Sequence, residues 1–226
     1  MSGIENLIIL CGGKGTRLKS VAGQIAKPSV PIYKDKGILD YIIHNIKNWG
    51  FKNVYISACY KSETFSEWLV SRKFPFNIEI IVEETPLGTG GAVKYVTEVA
   101  GVNEPFAVLN GDTFVPLCFS KMAFDYFQNP CGAMIGLSEV ENCGRYGKVL
   151  ETEAVVTNFL EKSSDLTSGW INNGCYILEK QIFEDTKSVF SMETDLFPLL
   201  VNKRILKCYK DSGMFIDIGI PDDFLK

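Results

Sequence analysis

Gly12, Gly13 and Gly15 follow the apolar run Leu7-Ile8-Ile9-Leu10 and lead into Thr16 and Arg17. A buried strand that runs into a glycine turn and then a cation suits phosphate. Glycine lets the backbone approach closely and expose its N–H groups, and the forked guanidinium adds charge-assisted hydrogen bonds. The loop is not G-x-x-x-x-G-K-S/T, and a G-x-G-x-x-G register begun at Gly13 fails because position 18 is Leu. It reads as a nucleotide or phosphate site of a third kind. The competing reading is an ordinary glycine turn after a strand.

Two carboxylates stand out next. Asp112 follows Val108-Leu109-Asn110-Gly111, and Asp217 sits in Phe215-Ile216-Asp217-Ile218-Gly219. A carboxylate at a strand end beside a glycine is a common Mg²⁺ ligand, because hard oxygen suits a hard cation. A carboxylate inside an apolar strand is costly unless it is paired or metal-bound. Together they point to a metal site, against the plainer reading of Asp112 as the cap of the next segment.

The stretch Leu10-x-Gly-Gly-x-Gly-Thr-Arg-Leu18, followed by Lys27-Pro28, resembles the signature of the sugar-1-phosphate nucleotidyltransferases, also called NDP-sugar pyrophosphorylases. The resemblance runs along nearly the whole chain. Within the family it is nearest to short bacterial members that join GTP to a heptose 1-phosphate. It implies that Asp112 and Asp217 hold Mg²⁺ between them. It implies that Lys27 contacts phosphates at the reacting centre, and that Arg17 with the Gly12–Thr16 amides holds the β- and γ-phosphates. Glu161-Lys162 is similar to the family's E-K motif: Glu161 for sugar hydroxyls, Lys162 for the sugar phosphate. Asn172-Asn173-Gly174 is similar to its N-x-G segment, and Arg145-Tyr146-Gly147 to its R-Y-G turn, with Gly147 near the sugar.

Glu83-Glu84-Thr85-Pro86-Leu87-Gly88-Thr89-Gly90-Gly91 resembles the family's base-binding loop, which brings Leu10, Pro86, Gly88, Thr89 and Gly111 into the nucleotide site with Gly12, Gly13, Gly15 and Thr16. The glycines are expected to admit base and ribose. Glu83 or Glu84, with Glu83 favoured, is expected to read the base edge. Guanine presents N1–H and an N2 amino group on one edge, and a carboxylate offers two acceptors to match; uracil and thymine present one donor between two acceptors. GTP is therefore favoured. A helix start with acidic residues near its positive end is the plain alternative.

The implied reaction is in-line attack of a sugar 1-phosphate oxygen on the α-phosphorus, with pyrophosphate leaving. Positioning and charge neutralisation carry such chemistry. The attacking phosphate is already ionised, so no general base is needed, which suits a chain whose single histidine, His44, lies on a predicted helix surface. A mannose-1-phosphate guanylyltransferase, or a uridylyl- or cytidylyltransferase on another hexose 1-phosphate, remains the alternative. A non-catalytic nucleotide-sugar-binding subunit predicts loss of Arg17, Lys27, Asp112 or Asp217, and all four are present. Cys11 and Trp170 read as packing residues.

These residues need a frame. Leu7–Cys11, Asn53–Cys59, Ile78–Val82 and Phe106–Leu109 read as strands, alternating with helices at Ile38–Trp49, Ser62–Val70 and Gly91–Val99. That rhythm predicts a Rossmann-like α/β fold, a mostly parallel sheet with helices on both faces. The glycine loop, the Glu83–Gly91 segment and Asp112 each follow a strand, so they should meet on the carboxyl rim. The second half is strand-rich: Ala133–Ser138, Lys148–Glu151, Val155–Glu161, Ile171–Leu178, Ile205–Tyr209 and Phe215–Ile218, with a short helix at Met192–Leu200. The expectation is one domain over 1–226, with a nucleotide half to about 115 and a sugar-phosphate half from 116.

Composition fits a globular enzyme of small molecules. The 226 residues carry a net charge of −4 and no basic tail, which argues against a nucleic-acid partner. No apolar run approaches the roughly 18–20 residues of a membrane span. The chain opens at once on a strand, with no basic-then-apolar leader, and its seven cysteines lack C-x-x-C pairing. A cytoplasmic protein with reduced thiols is expected. Self-association into a homo-oligomer stays open.

Overall fold

The computed structural model describes residues 3–13, 31–33 (backbone alone), 36–59, 62–70, 72–164, 167–211, 213 and 215–217. Gly15, Thr16, Arg17 and Lys27 lie outside the described residues.

Four strands form the parallel part of the sheet: three read as nearly continuous apolar runs buried on both faces, as the interior of such a sheet requires, and the fourth is a largely exposed edge strand. They are β1 (Asn6–Leu10), β4 (Asn53–Ala58), β5 (Asn77–Val82) and β6 (Phe106–Asn110). β4 and β6 flank β1 in parallel, and β5 lies outside β4. The intervening numbers belong to a small hairpin, β2 (Pro31–Tyr33) with β3 (Lys36–Gly37).

The second half adds β8 (Ala133–Val140), β9 (Lys148–Thr152), β10 (Val155–Leu160), β11 (Gly169–Leu178) and β12 (Leu206–Asp211). β11 enters antiparallel between β6 and β8 and so joins the halves into one nine-stranded sheet, ordered β5-β4-β1-β6-β11-β8-β12-β10-β9. Only β11 and β10 run against the others, which bears out the mostly parallel expectation.

Helices cover both faces. α1 (Ile38–Ile46), α2 (Glu63–Val70) and α4 (Phe119–Gln128) pack on the face that carries Leu7 and Ile9. α3 (Gly88–Val99) and α5 (Phe197–Asn202) pack on the face that carries Ile8. α1 buries Ile38, Leu39, Ile42, Ile43 and Ile46, the helical spacing the sequence shows. It ends at Ile46 rather than Trp49: residues 47–49 form a turn in which Trp49 N–H donates to Ile46 O, and the Trp49 ring stacks on Phe119 at 5.0 Å.

The segment expected as one helix over Met192–Leu200 is a π turn, Met192–Leu196, followed by α5. Pro198 has no N–H to continue an α register, and the chain answers with i→i−5 bonds such as Leu196 N–H to Ser191 O at 3.2 Å. The strand expected over Phe215–Ile218 is the two-residue β13 (Ile216–Asp217), paired antiparallel with β7 (Thr113–Phe114) outside the main sheet. Asp217 is therefore half-buried on a short ribbon, not enclosed in a core strand.

Candidate active site

The four parallel strands end on one rim, at the point where strand order reverses around β1. In open α/β sheets that crevice is where ligands bind. Backbone hydrogen bonds lace the rim: Cys11 N–H to Ser57 O at 2.8 Å, Glu83 N–H to Ala58 O at 2.8 Å, and Gly111 N–H to Leu10 O at 3.0 Å. Gly111 is obligatory for this last approach, since a Cβ there would lie 2.6 Å from Leu10 O and from Cys11 Sγ.

A cavity of about 390 Å³ opens on this rim. Leu10, Gly12 and Gly13 line it at and beyond the end of β1, Ser57 near the end of β4, and Glu83, Pro86, Gly88 and Thr89 along the turn into α3. Asn110 and Asp112 close it after β6. Gly12 and Gly13 at the start of the glycine loop, the Glu83–Thr89 segment and Asp112 thus meet on one rim.

Of the two neighbouring carboxylates, Glu83 is the one on the cavity wall. It is 5% exposed, lines the cavity, and both its oxygens are held: Oε1 accepts from Ser57 Oγ at 2.8 Å, and Oε2 from Leu87 N–H at 3.2 Å. Glu84 is exposed and does not line this cavity. Each carboxylate oxygen keeps a further lone pair for a ligand donor.

The glycines of this loop serve differently from expectation. Gly88 has φ +76, and a Cβ on it would meet Phe190 O at 2.4 Å. At Gly90 a Cβ would strike the Phe190 ring at 2.1 Å, and at Gly91 it would reach Ser188 O at 2.3 Å. The space freed at Gly90 and Gly91 is filled by residues 188–190, which clamp the start of α3. Thr89 is clamped too: its hydroxyl donates to Glu193 Oε2 at 2.6 Å and accepts from Met192 N–H at 2.9 Å.

Asp112 is half-buried and takes a hydrogen bond from Thr113 Oγ1 at 3.2 Å. Asp217 lies directly opposite Thr113 in the β7–β13 pairing. Among the described residues no group of three or more His, Cys, Asp or Glu could hold a metal ion. Two hard carboxylates, Asp112 on the cavity lining and Asp217 opposite the adjacent Thr113, fit a divalent cation whose other ligands are water and substrate phosphate. Cys11, beside them, is buried; burial first, and then Asp112, push its thiol up, so it stays neutral and packs.

The sugar-side residues lie away from that lining, around β9–β11. Gly147 has φ +83 and packs on Leu160 O, which brings the R-Y-G turn against the start of exposed Glu161-Lys162. Asn172 shapes a bulge in β11: Oδ1 accepts from Gly174 N–H at 3.0 Å and Nδ2 donates to Tyr176 Oη at 3.0 Å. Tyr176 also bonds Asn110; burial, then Glu193, pushes its phenol well up, so it stays protonated. Trp170 is half-buried with Lys210 Nζ 5.2 Å from its ring centroid, and His44 is exposed, in keeping with their plain readings.

Ser57, Asn110 and Leu87 were not singled out by sequence. Asn110 ends a strand and Leu87 opens a helix on the rim that the β-α-β rhythm defines, whereas Ser57 lies inside β4 and gains meaning only with Glu83 beside it.

The residues brought together are Gly12 and Gly13 after β1, the Glu83 carboxylate on the cavity wall, and Asp112, with Asp217 paired opposite Thr113. The chain belongs to the nucleotidyl transferase family, whose model matches residues 6–226, and it is a nucleotidyltransferase. Members of this family generally use a divalent metal ion. The chain is 38% identical to D-glycero-alpha-D-manno-heptose 1-phosphate guanylyltransferase of Campylobacter jejuni, over 96% of either chain. It is 34% identical to the enzyme of that name from Aneurinibacillus thermoaerophilus, over 97% of this chain and 95% of the other. Its fold matches HddC from Yersinia pseudotuberculosis complexed with GMP-PN, with TM-score 0.85 and 34% identity over 98% of this chain and 96% of that one. No helix among the described residues is long and apolar enough to cross a membrane.

Proposed function

We propose that this chain transfers GMP from GTP to D-glycero-α-D-manno-heptose 1-phosphate, giving GDP-heptose and pyrophosphate for surface-polysaccharide synthesis. The observation that carries the base is Glu83, a buried carboxylate fixed at the cavity wall with lone pairs to spare. Guanine N1–H and N2–H match it, whereas adenine would place its N1 lone pair against a carboxylate oxygen. The sugar rests on the two heptose 1-phosphate guanylyltransferases that match over nearly their whole length.

A sugar phosphate oxygen forms a bond to the α-phosphorus as the bond to the β-bridging oxygen breaks, and pyrophosphate departs with that electron pair. Glu83 and the turn Pro86–Thr89 orient the nucleotide. Asp112 and Asp217 would hold Mg²⁺, which supplies neutralisation of the α-phosphate and leaving-group charge when bound. By their motifs, Arg17 takes the leaving phosphates, and Lys27 and Lys162 draw the two anions together. Glu161, Gly147 and Asn172 frame the sugar. All seven cysteines are free thiols, which supports a reducing, cytoplasmic setting.

The test is pyrophosphate release by purified protein with GTP, ATP, UTP and CTP against heptose, mannose, glucose and galactose 1-phosphates. GTP with the heptose 1-phosphate should give the highest kcat/KM. Best turnover with mannose 1-phosphate would overturn the sugar, and best turnover with UTP would overturn the base.

A further inference from the structure

Glu83 reads the base only if its carboxylate is held in one plane and kept as an acceptor. A carboxylate at a strand end turns about its side-chain bonds unless something fixes it. Two donors do so here, from different elements: the Ser57 hydroxyl from β4 and the Leu87 N–H from the turn into α3. Ser57 is wholly buried, and its hydroxyl spends its one proton on Glu83 Oε1. Gly12 completes the seat, since a Cβ there would come within 3.3 Å of that same oxygen.

We infer that Ser57 is a positioning residue for base selection: it holds Glu83 so that both carboxylate oxygens face guanine's two donors at once. This rests on the reading of Glu83 as the base-reading group. Without the Ser57 proton, Oε1 is left buried with one partner fewer, and the carboxylate is pinned at Oε2 alone. Such a carboxylate still finds one guanine donor but no longer both, so the contribution of the 2-amino group is what falls.

ITP isolates that contribution, because hypoxanthine keeps N1–H and lacks the 2-amino group. Steady-state kinetics with GTP and ITP on wild type, Ser57→Ala, Glu83→Gln and the double variant test the inference. Wild type should prefer GTP over ITP in kcat/KM by about tenfold, the worth of one matched hydrogen bond to a charged acceptor. Ser57→Ala should bring the ratio to within about threefold of unity, chiefly through KM for GTP, with kcat nearly unchanged. In the Glu83→Gln background, adding Ser57→Ala should change the ratio no further, because Ser57 acts through Glu83. If Ser57→Ala does not fold, Ser57→Cys, near-isosteric with a weak donor, carries the same expectation. A retained ratio in the Ser57 variant with a lost ratio in Glu83→Gln overturns the role of Ser57 and leaves Glu83 reading the base. A retained ratio in Glu83→Gln overturns the base reading itself. Independent, additive losses also overturn the inference.

Discussion

Asp217 stands opposite Thr113 in a two-stranded ribbon, and Thr113 is the residue after Asp112. A short antiparallel pairing thus brings the end of the chain back to the carboxyl rim of the central sheet and sets the second aspartate beside the first. Residues 105 positions apart become neighbours through that one register.

If this pair holds the metal, Asp112→Asn and Asp217→Asn should each lower kcat/KM at least about 100-fold, some 2.7 kcal/mol of transition-state stabilisation. The change is nearly isosteric, so the melting temperature should stay close to that of wild type, and raising Mg²⁺ should recover part of the rate. Pyrophosphate release across a Mg²⁺ titration, with thermal melts, measures all three. A variant within a few-fold of wild type at every Mg²⁺ concentration is not missing a ligand.

Gly174 couples the two halves through shape. Its φ is +79, and a Cβ on it would lie 2.7 Å from Asn110 Nδ2, a side chain of the cavity wall. Gly174→Ala should cost about 1–2 kcal/mol for the left-handed backbone alone. In a domain of this size that lowers the melting temperature by about 2–8 °C. Because Asn110 must move as well, KM for GTP should rise although residue 174 touches no nucleotide-side cavity. Calorimetry and kinetics on one preparation check both; a lowered melting temperature with unchanged KM would mean Asn110 has room to give.

The β-α-β rhythm of the first half was legible because its central strands β1, β4 and β6 are apolar on both faces and α1 carries a clean stripe. α4 was not read, because Phe124 and Phe127 are exposed while Phe119, Met122, Ala123 and Tyr126 are buried, so apolar residues surround the helix and blur its stripe. The placement of β11 between the halves, and of β12 parallel to β8, depends on pairings distant in sequence that no local pattern records. At the site, the position of Glu83 on the rim was readable from its motif. Ser57 was not, since a serine inside an apolar strand becomes informative only when β5 delivers Glu83 beside it.

Thiol reactivity offers an independent check of the packing. Cys118 is exposed at the start of α4, and its hydrogen bond with Ser120, with help from the Lys121 backbone, holds its thiol below the usual range. Burial pushes Cys131 up to about 11 and Cys208 up to about 12. At pH 8 the thiolate fraction, and so alkylation, should favour Cys118 over Cys131, Cys208, Cys11 and Cys175. Brief iodoacetamide treatment followed by peptide mass spectrometry should find Cys118 modified first, with activity retained because it lies outside the cavity lining. Early modification of Cys11 with loss of activity would mean that the rim opens far more than its backbone bonds allow.

The central claim is that the α-phosphorus moves to the sugar phosphate and the β- and γ-phosphates leave together. GTP radiolabelled at the α-phosphate, and in parallel at the γ-phosphate, tests it with heptose 1-phosphate and Mg²⁺. The α label should appear in a sugar-linked diphosphate resistant to phosphatase, and the γ label in pyrophosphate, in equal amounts. Transfer of the γ label to the sugar, or its release as orthophosphate with the α label left in GDP, would contradict nucleotidyl transfer.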